Sequence, residues 1–134
     1  MINDFEIKKD FDEWNEKKKK LHDKHGDLFY HEREIWWCAL GVNIGFEQDG
    51  SGKEYRRPVL ILKGLSARTC LVVPLTASSQ KHPLRLLVGI VGNKEARVLL
   101  SQLRVIDTKR LISKVGYVEK GIFEIIRKAV KAML

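Results

Sequence analysis

Two clusters of polar residues near the middle of the chain have the side chains needed to bind an anion. Each cluster borders a short apolar run that predicts a β-strand: Arg56 and Arg57 precede residues 59–62, and Thr76, Ser78 and Ser79 follow residues 71–73. Antiparallel neighbours bring the start of one strand beside the end of the next, so we expect Arg57 and Thr76 at the same sheet edge. Pro58 favours an extended Arg57, which would help to fix the position of its guanidinium.

An arginine held beside a hydroxyl can grip a phosphate group. The guanidinium is a permanent cation whose planar fork matches phosphate oxygens, and a hydroxyl can add a further hydrogen bond. The alternative is structural, with Arg57 and Thr76 only beginning and ending surface strands. A catalytic histidine is another possibility, because His82 follows the Thr76 strand and imidazoles titrate near neutral pH; surface imidazoles are the plain alternative.

The segments that would position these residues are mostly short strands joined by polar turns. Apolar patterning predicts further strands over residues 34–40, 84–91, 96–106 and 114–118, a helical turn at 107–111, and helices over 3–21 and 119–134. The inner face of the last helix would present Ile122, Ile126, Ala129, Val130 and Met133. On the first helix, Phe11 and Trp14 would cover the face of the strand that contains Trp36. This pattern is typical of a mainly β (α+β) fold, a small and strongly curved sheet or barrel sealed by a terminal helix.

Charge is distributed unevenly along the 134 residues of the chain. Residues 1–34 hold 10 acidic and 8 basic side chains, whereas residues 35–134 hold 7 acidic and 17 basic ones. A basic folded surface favours a polyanionic partner, either nucleic acid or an acidic protein segment, with solubility as the alternative reason for the charge.

Several function classes are not favoured by the sequence. No apolar run approaches the roughly 18 residues of a membrane span, and the N-terminus lacks the layout of a secretory signal, so the cytoplasm is the expected location. Cys38 and Cys70 fall in apolar strand runs and are expected to be buried, reduced thiols. No spacing of cysteines and histidines indicates a zinc site.

Four short sequences occur in an order and approximate spacing that resemble the MazF/PemK family, the toxins of bacterial type II toxin–antitoxin modules. They are Ile-Gly-Phe-Glu-Gln at 44–48, Arg-Pro-Val-Leu-Ile at 57–61, Pro-Leu-Thr at 74–76 and Ser-Gln-Leu-Arg-Val-Ile-Asp at 101–107. The resemblance runs from about residue 33 to the end of the chain. It divides the chain into an N-terminal helical extension and linker, residues 1–30, and a barrel domain, residues 31–134.

The resemblance implies an SH3-like barrel, commonly a homodimer, that cuts single-stranded messenger RNA through its 2′-OH without a metal or other cofactor. A cognate antitoxin protein would be its other partner. The implied catalytic residues are Arg57 and Thr76. The predicted RNA-binding residues are Phe46, Glu47, Gln48, Tyr55, Ser78, Gln102 and Arg104. A non-catalytic barrel that binds RNA or protein is the alternative function.

Three points stay open within this resemblance. Glu47 is the candidate general base, although it is equally well explained as a solvated loop acid. Phe46 and Tyr55 are the candidates for stacking on bases, whereas Trp36 and Trp37 are predicted to be core. The loop before Arg57 is longer than is usual in the family, so the RNA sequence preference cannot be transferred. The N-terminal helix has no counterpart in the family's common form, and it could pack on the Trp36 face, block a surface or change the dimer.

Overall fold

Short apolar runs separated by polar turns form the strands of one curved sheet, and the helices lie at either end of the chain. The computed structural model describes residues 11–22, 29–41 and 56–134. In these ranges the elements are α1 (Phe11–His22), β1 (Glu34–Ala39), β2 (Arg56–Gly64), β3 (Thr69–Thr76), β4 (Arg85–Val91), β5 (Lys94–Leu99), β6 (Arg104–Asp107), β7 (Leu111–Tyr117) and α2 (Lys120–Met133). Short 3-10 turns, Leu100–Gln102 and Thr108–Arg110, flank β6.

The strands pair antiparallel in the order β4-β5-β3-β2-β1-β7, and β6 pairs with β3. The result is a mainly antiparallel sheet curled into a half-barrel, with a C-terminal helix and the additional N-terminal helix, as the sequence predicted. The centre of the sheet is β3, which pairs along one edge with β2. Its other edge pairs first with β6 and then with β5.

The prediction of one long bent strand over residues 96–106 is wrong. The 3-10 turn Leu100–Gln102 divides it into β5 and β6. Val98, Leu99 and Leu100 are all buried, and consecutive residues of a continuous strand point to opposite faces. The turn lets Leu100 join the core directly after Leu99. It also moves the chain along one edge of β3, from the end of that strand, where β5 pairs, to its beginning, where β6 pairs.

Both faces of the sheet are covered. On one face, α2 packs on residues such as Ile35, Leu60 and Val73. The opposite face holds a second cluster of buried residues, which comprises Trp36, Cys38, Leu40, Val59, Ile61, Cys70, Val72, Ile106 and Leu111. Burial of apolar side chains in both clusters is the main force holding the sheet in its curved shape.

The inner face of α2 differs in part from the prediction. Phe123, Ile126 and Val130 are its buried residues, and Ile122 and Ala129 are partly buried. The prediction missed Phe123, because it followed a stripe that is rotated slightly around the helix. Met133, which it placed inside, is 37% exposed at the end of the helix, where the sheet no longer covers it.

The N-terminal helix α1 packs at the end of β1 through Trp14. Trp14 is 3% exposed and contacts Ala39. Gly41 lies against the same indole ring: its φ is +77°, and a Cβ there would overlap the ring. Trp36 belongs to a different cluster from Trp14, and it points to the opposite side of β1 from Ala39. The expectation that Trp14 covers the Trp36 face is therefore wrong. The predicted helix residues 3–10 lie outside the described residues, and the packing of Phe11 stays a prediction.

The buried carboxylate of Glu34 ties β1 to its surroundings. Oε1 accepts hydrogen bonds from Trp36 Nε1 at 3.1 Å and from the His31 backbone N at 2.7 Å, and Oε2 accepts one from Lys114 Nζ at 3.1 Å. Burial alone would raise the pKa of Glu34, but the hydrogen bonds and the charge of Lys114 outweigh it and hold the pKa below its usual value.

Among residues 11–22, 29–41 and 56–134, no helix is both long enough and apolar enough to cross a membrane.

Candidate functional site

Arg57 and Thr76 lie at the same edge of the sheet, where β2 begins and β3 ends. The pairing of these strands sets Val59 opposite Pro74, and the same register continued outwards brings Arg57 level with Thr76. Arg57 Nη1 donates a hydrogen bond to the Leu75 carbonyl oxygen at 3.2 Å. The guanidinium is thus held towards β3, and the adjacency expected from the sequence is present in the structure.

The two residues line one cavity of about 450 Å³. Its walls come from β1, β2, β3, β7 and the hairpin between β4 and β5. The described residues that line it are Trp37, Arg57, Pro58, Leu75, Thr76, Ala77, Val91, Gly92, Lys94, Ala96 and Val115. Two cations and one hydroxyl belong to this set, and most of the other side chains are apolar. The cavity can therefore accept an anion at one side and an apolar group at the other.

The hairpin wall of the cavity depends on a two-residue turn. Gly92 and Asn93 have φ values of +58° and +67°, and Val91 pairs directly with Lys94. Positive φ at both central residues is the requirement of a type I′ turn, which the Gly-Asn sequence predicts. The turn places Lys94 beside the cavity that contains Arg57.

The two adjacent tryptophans of β1 have different environments. Trp36 is 7% exposed and belongs to a core cluster, as predicted. Trp37 is only partly buried and lines the cavity, so its assignment to the core is wrong. The Arg56 guanidinium carbon lies 4.9 Å from the centroid of the Trp37 ring, a cation–π contact. Ile35, on the same face of β1, packs in the cluster with α2, whereas Trp37 is two residues further along and belongs to neither large cluster.

Ser78 connects the Thr76 end of β3 to a second, basic groove. The Ser78 backbone N donates to Thr76 Oγ1 at 3.2 Å. Arg85 Nη1 lies 3.4 Å from Ser78 Oγ, and Arg97 Nη1 lies 3.5 Å from the Ser78 carbonyl oxygen. Arg97 also pairs with Thr76 in the sheet register. These two arginines were missed at the sequence level, although the predicted hairpin at residues 92–94 was the signal that could have found them.

The groove beside Ser78 has a volume of about 460 Å³ and is lined by Lys81, His82, Pro83, Arg85, Leu86, Leu87 and Arg97. His82 Nδ1 accepts a hydrogen bond from the Leu84 backbone N at 3.1 Å. The histidine therefore lines the groove and is not among the residues around the Arg57 cavity. The groove extends the cationic surface beyond Thr76.

A comparison with protein-family models decides the affiliation of this fold and site. The model described as a PemK-like, MazF-like toxin of type II toxin–antitoxin systems matches residues 31–134. The chain belongs to this toxin family. The comparison of this chain with curated protein sequences found no match.

Solved structures of several other proteins have the same fold. MazF from Deinococcus radiodurans is 19% identical, with a TM-score of 0.65 over 80% of this chain and 97% of that one. An endoribonuclease from a mycobacterial species is 14% identical, with a TM-score of 0.60 over 81% and 93% of the two chains. A mycobacterial endoribonuclease in complex with its cognate antitoxin is 15% identical, with a TM-score of 0.57 over 78% and 93%. At these identities the likeness shows the fold alone.

In this PemK/MazF-family chain, Gln102 and Arg104 lie apart from the Arg57 cavity. Gln102 is in the first 3-10 turn, and Arg104 on β6 pairs with Val72. Neither is among the residues that line the cavity. Arg104 is close enough to Arg110 for the two charges to interact: burial, and then the charge of Arg104, lower the pKa of Arg110.

The cluster around Arg110 lies against α1. Arg110 Nη1 donates to the Ala39 carbonyl oxygen at 3.0 Å, and its guanidinium carbon lies 5.7 Å from the Trp14 ring centroid. Burial raises the pKa of the neighbouring Cys38 thiol to about 12, although Arg110 and Arg104 oppose the shift. Cys38 and Cys70 are both free and buried, so neither is placed as an exposed nucleophile.

Four of the predicted RNA-binding residues, Phe46, Glu47, Gln48 and Tyr55, lie outside the described residues. Their roles stay predictions. Within residues 11–22, 29–41 and 56–134, no three His, Cys, Asp or Glu side chains come together as metal ligands would.

Proposed function

We propose that this PemK/MazF-family toxin is an endoribonuclease that cleaves single-stranded RNA, chiefly messenger RNA, without a metal ion. The observation that supports the proposal best is the placement of Arg57 and Thr76 on the wall of one cavity. Two of the solved structures with this fold are named as endoribonucleases. The basic character of residues 35–134 suits a polyanionic substrate.

In the proposed reaction, the ribose 2′-oxygen forms a bond to the adjacent phosphorus while the bond from phosphorus to the 5′-oxygen breaks. A base takes the 2′-OH proton, and a proton is delivered to the leaving 5′-oxygen. The products are a 2′,3′-cyclic phosphate and a 5′-hydroxyl. Negative charge grows on the non-bridging phosphate oxygens in the transition state, and a fixed cation there lowers the barrier.

Arg57 is assigned to that charge. Its hydrogen bond to the Leu75 carbonyl oxygen holds the guanidinium before substrate arrives, so little reorganisation is needed during the reaction. Arginine is a poor general base because its pKa exceeds about 12. We therefore assign Arg57 to charge stabilisation and leave Glu47 as the base candidate.

Thr76 is assigned to a phosphate oxygen. Its Oγ1 already accepts a hydrogen bond from the Ser78 backbone N, which leaves the hydroxyl proton to be donated elsewhere. The groove lined by Arg85 and Arg97 begins next to this hydroxyl. We assign the groove to backbone phosphates on one side of the scissile bond, where cations bind without reading sequence.

The remaining assignments concern partners and organisation. We propose that the toxin acts as a homodimer in the cytoplasm and that a cognate antitoxin restrains it, as the antitoxin complex of a related structure suggests. Residues 1–30 are proposed as an extension to the barrel domain, residues 31–134, which is also the span of the family match.

The proposal is tested by incubating a long messenger RNA with the protein in EDTA and mapping the ends of the products. We expect 2′,3′-cyclic phosphate and 5′-hydroxyl ends, and no cutting where the scissile ribose is replaced by deoxyribose. Thr76→Val, which removes the hydroxyl but keeps the shape, should lower the rate by about 2- to 10-fold, and Thr76→Ser should retain most activity. Cleavage at a deoxyribose, or binding of RNA without any cleavage, would contradict the proposal.

A further inference from the structure

The proposed chemistry uses only one side of the Arg57 cavity. The scissile phosphate would contact Arg57 and Thr76. Most of the other described residues of the lining are apolar, namely Trp37, Pro58, Leu75, Ala77, Val91, Ala96 and Val115. A phosphate group alone would leave this wall in contact with water. Contiguous apolar surface of this kind in a cleft is a feature of ligand sites.

The aromatic member of the wall, Trp37, is held in place by its neighbours. It lies opposite Pro58 in the pairing of β1 with β2, and the Arg56 guanidinium carbon is 4.9 Å from its ring centroid. A partly exposed indole ordered in this way is a preformed surface for stacking another planar group, because little conformational entropy is lost when the ligand arrives.

Charge at the rim restricts what that planar group can be. Arg57 and Lys94 line the same cavity as the apolar residues. A ligand that contacts both the apolar residues and the two cations must therefore combine a flat apolar group with an anionic group close to it. A nucleotide has this combination in its base and phosphate, and the volume of about 450 Å³ falls within the usual range of small-ligand sites, roughly 300–1,000 Å³.

We propose that the cavity is a nucleobase pocket, in which a base next to the scissile phosphate stacks on Trp37 while Arg57 and Thr76 hold that phosphate. The inference rests on the proposed ribonuclease function and adds to it a named subsite. The Leu75 carbonyl already accepts a hydrogen bond from Arg57, and among residues 11–22, 29–41 and 56–134 the lining offers few other polar groups to read a base edge. The pocket should therefore accept any base and favour those that stack best.

The experiment measures binding of an uncleavable RNA, with deoxyribose at the mapped scissile position, to the full-length protein by fluorescence anisotropy. A series of these RNAs has an abasic residue at each nucleotide flanking the scissile phosphate. The proteins are wild type, Trp37→Leu, Trp37→Phe and Tyr117→Leu. Tyr117 is a matched control, because it is 72% exposed, lies under Arg33 with 5.6 Å between guanidinium carbon and ring centroid, and is not among the residues that line the cavity.

We expect one abasic position to weaken binding to wild type by about 10- to 100-fold, the usual effect of losing a stacked base. Trp37→Leu should weaken binding of the intact RNA by a similar factor, and the same abasic position should then have no further effect, because both changes remove one contact. Trp37→Phe should recover part of the loss, and Tyr117→Leu should bind as wild type does. The abasic series on wild type needs no variant and so does not depend on how any variant folds.

Three results would overturn the inference. If wild type cleaves RNA but no abasic position affects binding, or if the abasic and Trp37→Leu losses add, the pocket is not a base site and the proposed function stands. If wild type neither binds nor cleaves RNA, the proposed function itself has failed and the pocket fails with it.

Discussion

Arg57 and Leu75 are joined across the end of the β2–β3 pair, where Arg57 Nη1 donates to the Leu75 carbonyl oxygen at 3.2 Å. Leu75 is followed at once by Thr76. This hydrogen bond therefore holds the cation close to the hydroxyl that would share its phosphate, and this relationship makes Arg57 the first residue to test.

Replacing Arg57 by alanine should lower the cleavage rate by on the order of 10²- to 10³-fold, because one preorganised donor to the developing negative charge is lost. Arg57→Lys should recover only part of this, since an ammonium group lacks the planar fork. The matched control is Arg68→Ala, which changes an exposed arginine at the other end of the same hairpin. The measurement is a single-turnover cleavage rate, with thermal melting to verify folding. Full activity in Arg57→Ala would contradict the assigned role.

Arg85 and Arg97 should contribute to RNA affinity through counterion release. We expect Arg85→Gln and Arg97→Gln each to reduce the slope of log K against log salt concentration by about 1, uniformly for different RNA sequences. Lys128→Gln changes an exposed cation of α2 and is the control. The test is binding of uncleavable RNA at several salt concentrations. Equal slopes for the control and the arginine variants would remove the groove from the RNA path.

Glu34 should make stability depend on pH. Its folded-state pKa is lowered from the usual value of 4.5, so its contribution is fully present above that value and is lost as pH falls through the lowered pKa. Glu34→Gln should reduce the free energy of unfolding by about 1.5–3 kcal/mol at pH 7, and the gap should shrink below about pH 4. Urea unfolding at several pH values measures the gap, with exposed Glu124→Gln as control. A gap that stays constant down to pH 3 would contradict the linkage.

The attachment of α1 should stabilise the fold. Trp14→Ala is expected to lower the free energy of unfolding by about 3–5 kcal/mol, as truncation of a buried aromatic residue usually does. Phe29→Ala is the comparison, because Phe29 is 91% exposed and should change stability by less than about 0.5 kcal/mol. Denaturant midpoints distinguish the two. Similar midpoints for both variants would show that α1 is an appendage in solution.

The central part of the site could be predicted because local rules determine it. Two apolar runs joined by a short polar segment specify an antiparallel pair, and the register of such a pair sets the start of β2 beside the end of β3. The turn at Gly92 and Asn93 follows from backbone chemistry alone. These rules suffice to bring Arg57 and Thr76 together without knowledge of the rest of the fold.

Other features depend on contacts that local patterns do not contain. The break between β5 and β6 occurs because β3 exchanges one partner for the other along a single edge. The exposure of Trp37 depends on which part of the sheet lies outside the two large core clusters. Arg97 reaches Ser78 only because β5 pairs with the last residues of β3. Each of these is a consequence of tertiary packing, which overrides the pattern of one strand.

The central position of β3 has a consequence for how the toxin can be silenced. A strand paired along both edges opens only when much of the domain opens, so its amide hydrogens should exchange with solvent among the slowest in the protein. Thr76 ends this strand and Arg57 is bound to the residue before it. Local melting is therefore a costly way to switch the site off. Reversible silencing would instead have to occlude the folded surface, and it should leave the exchange rates within β3 unchanged.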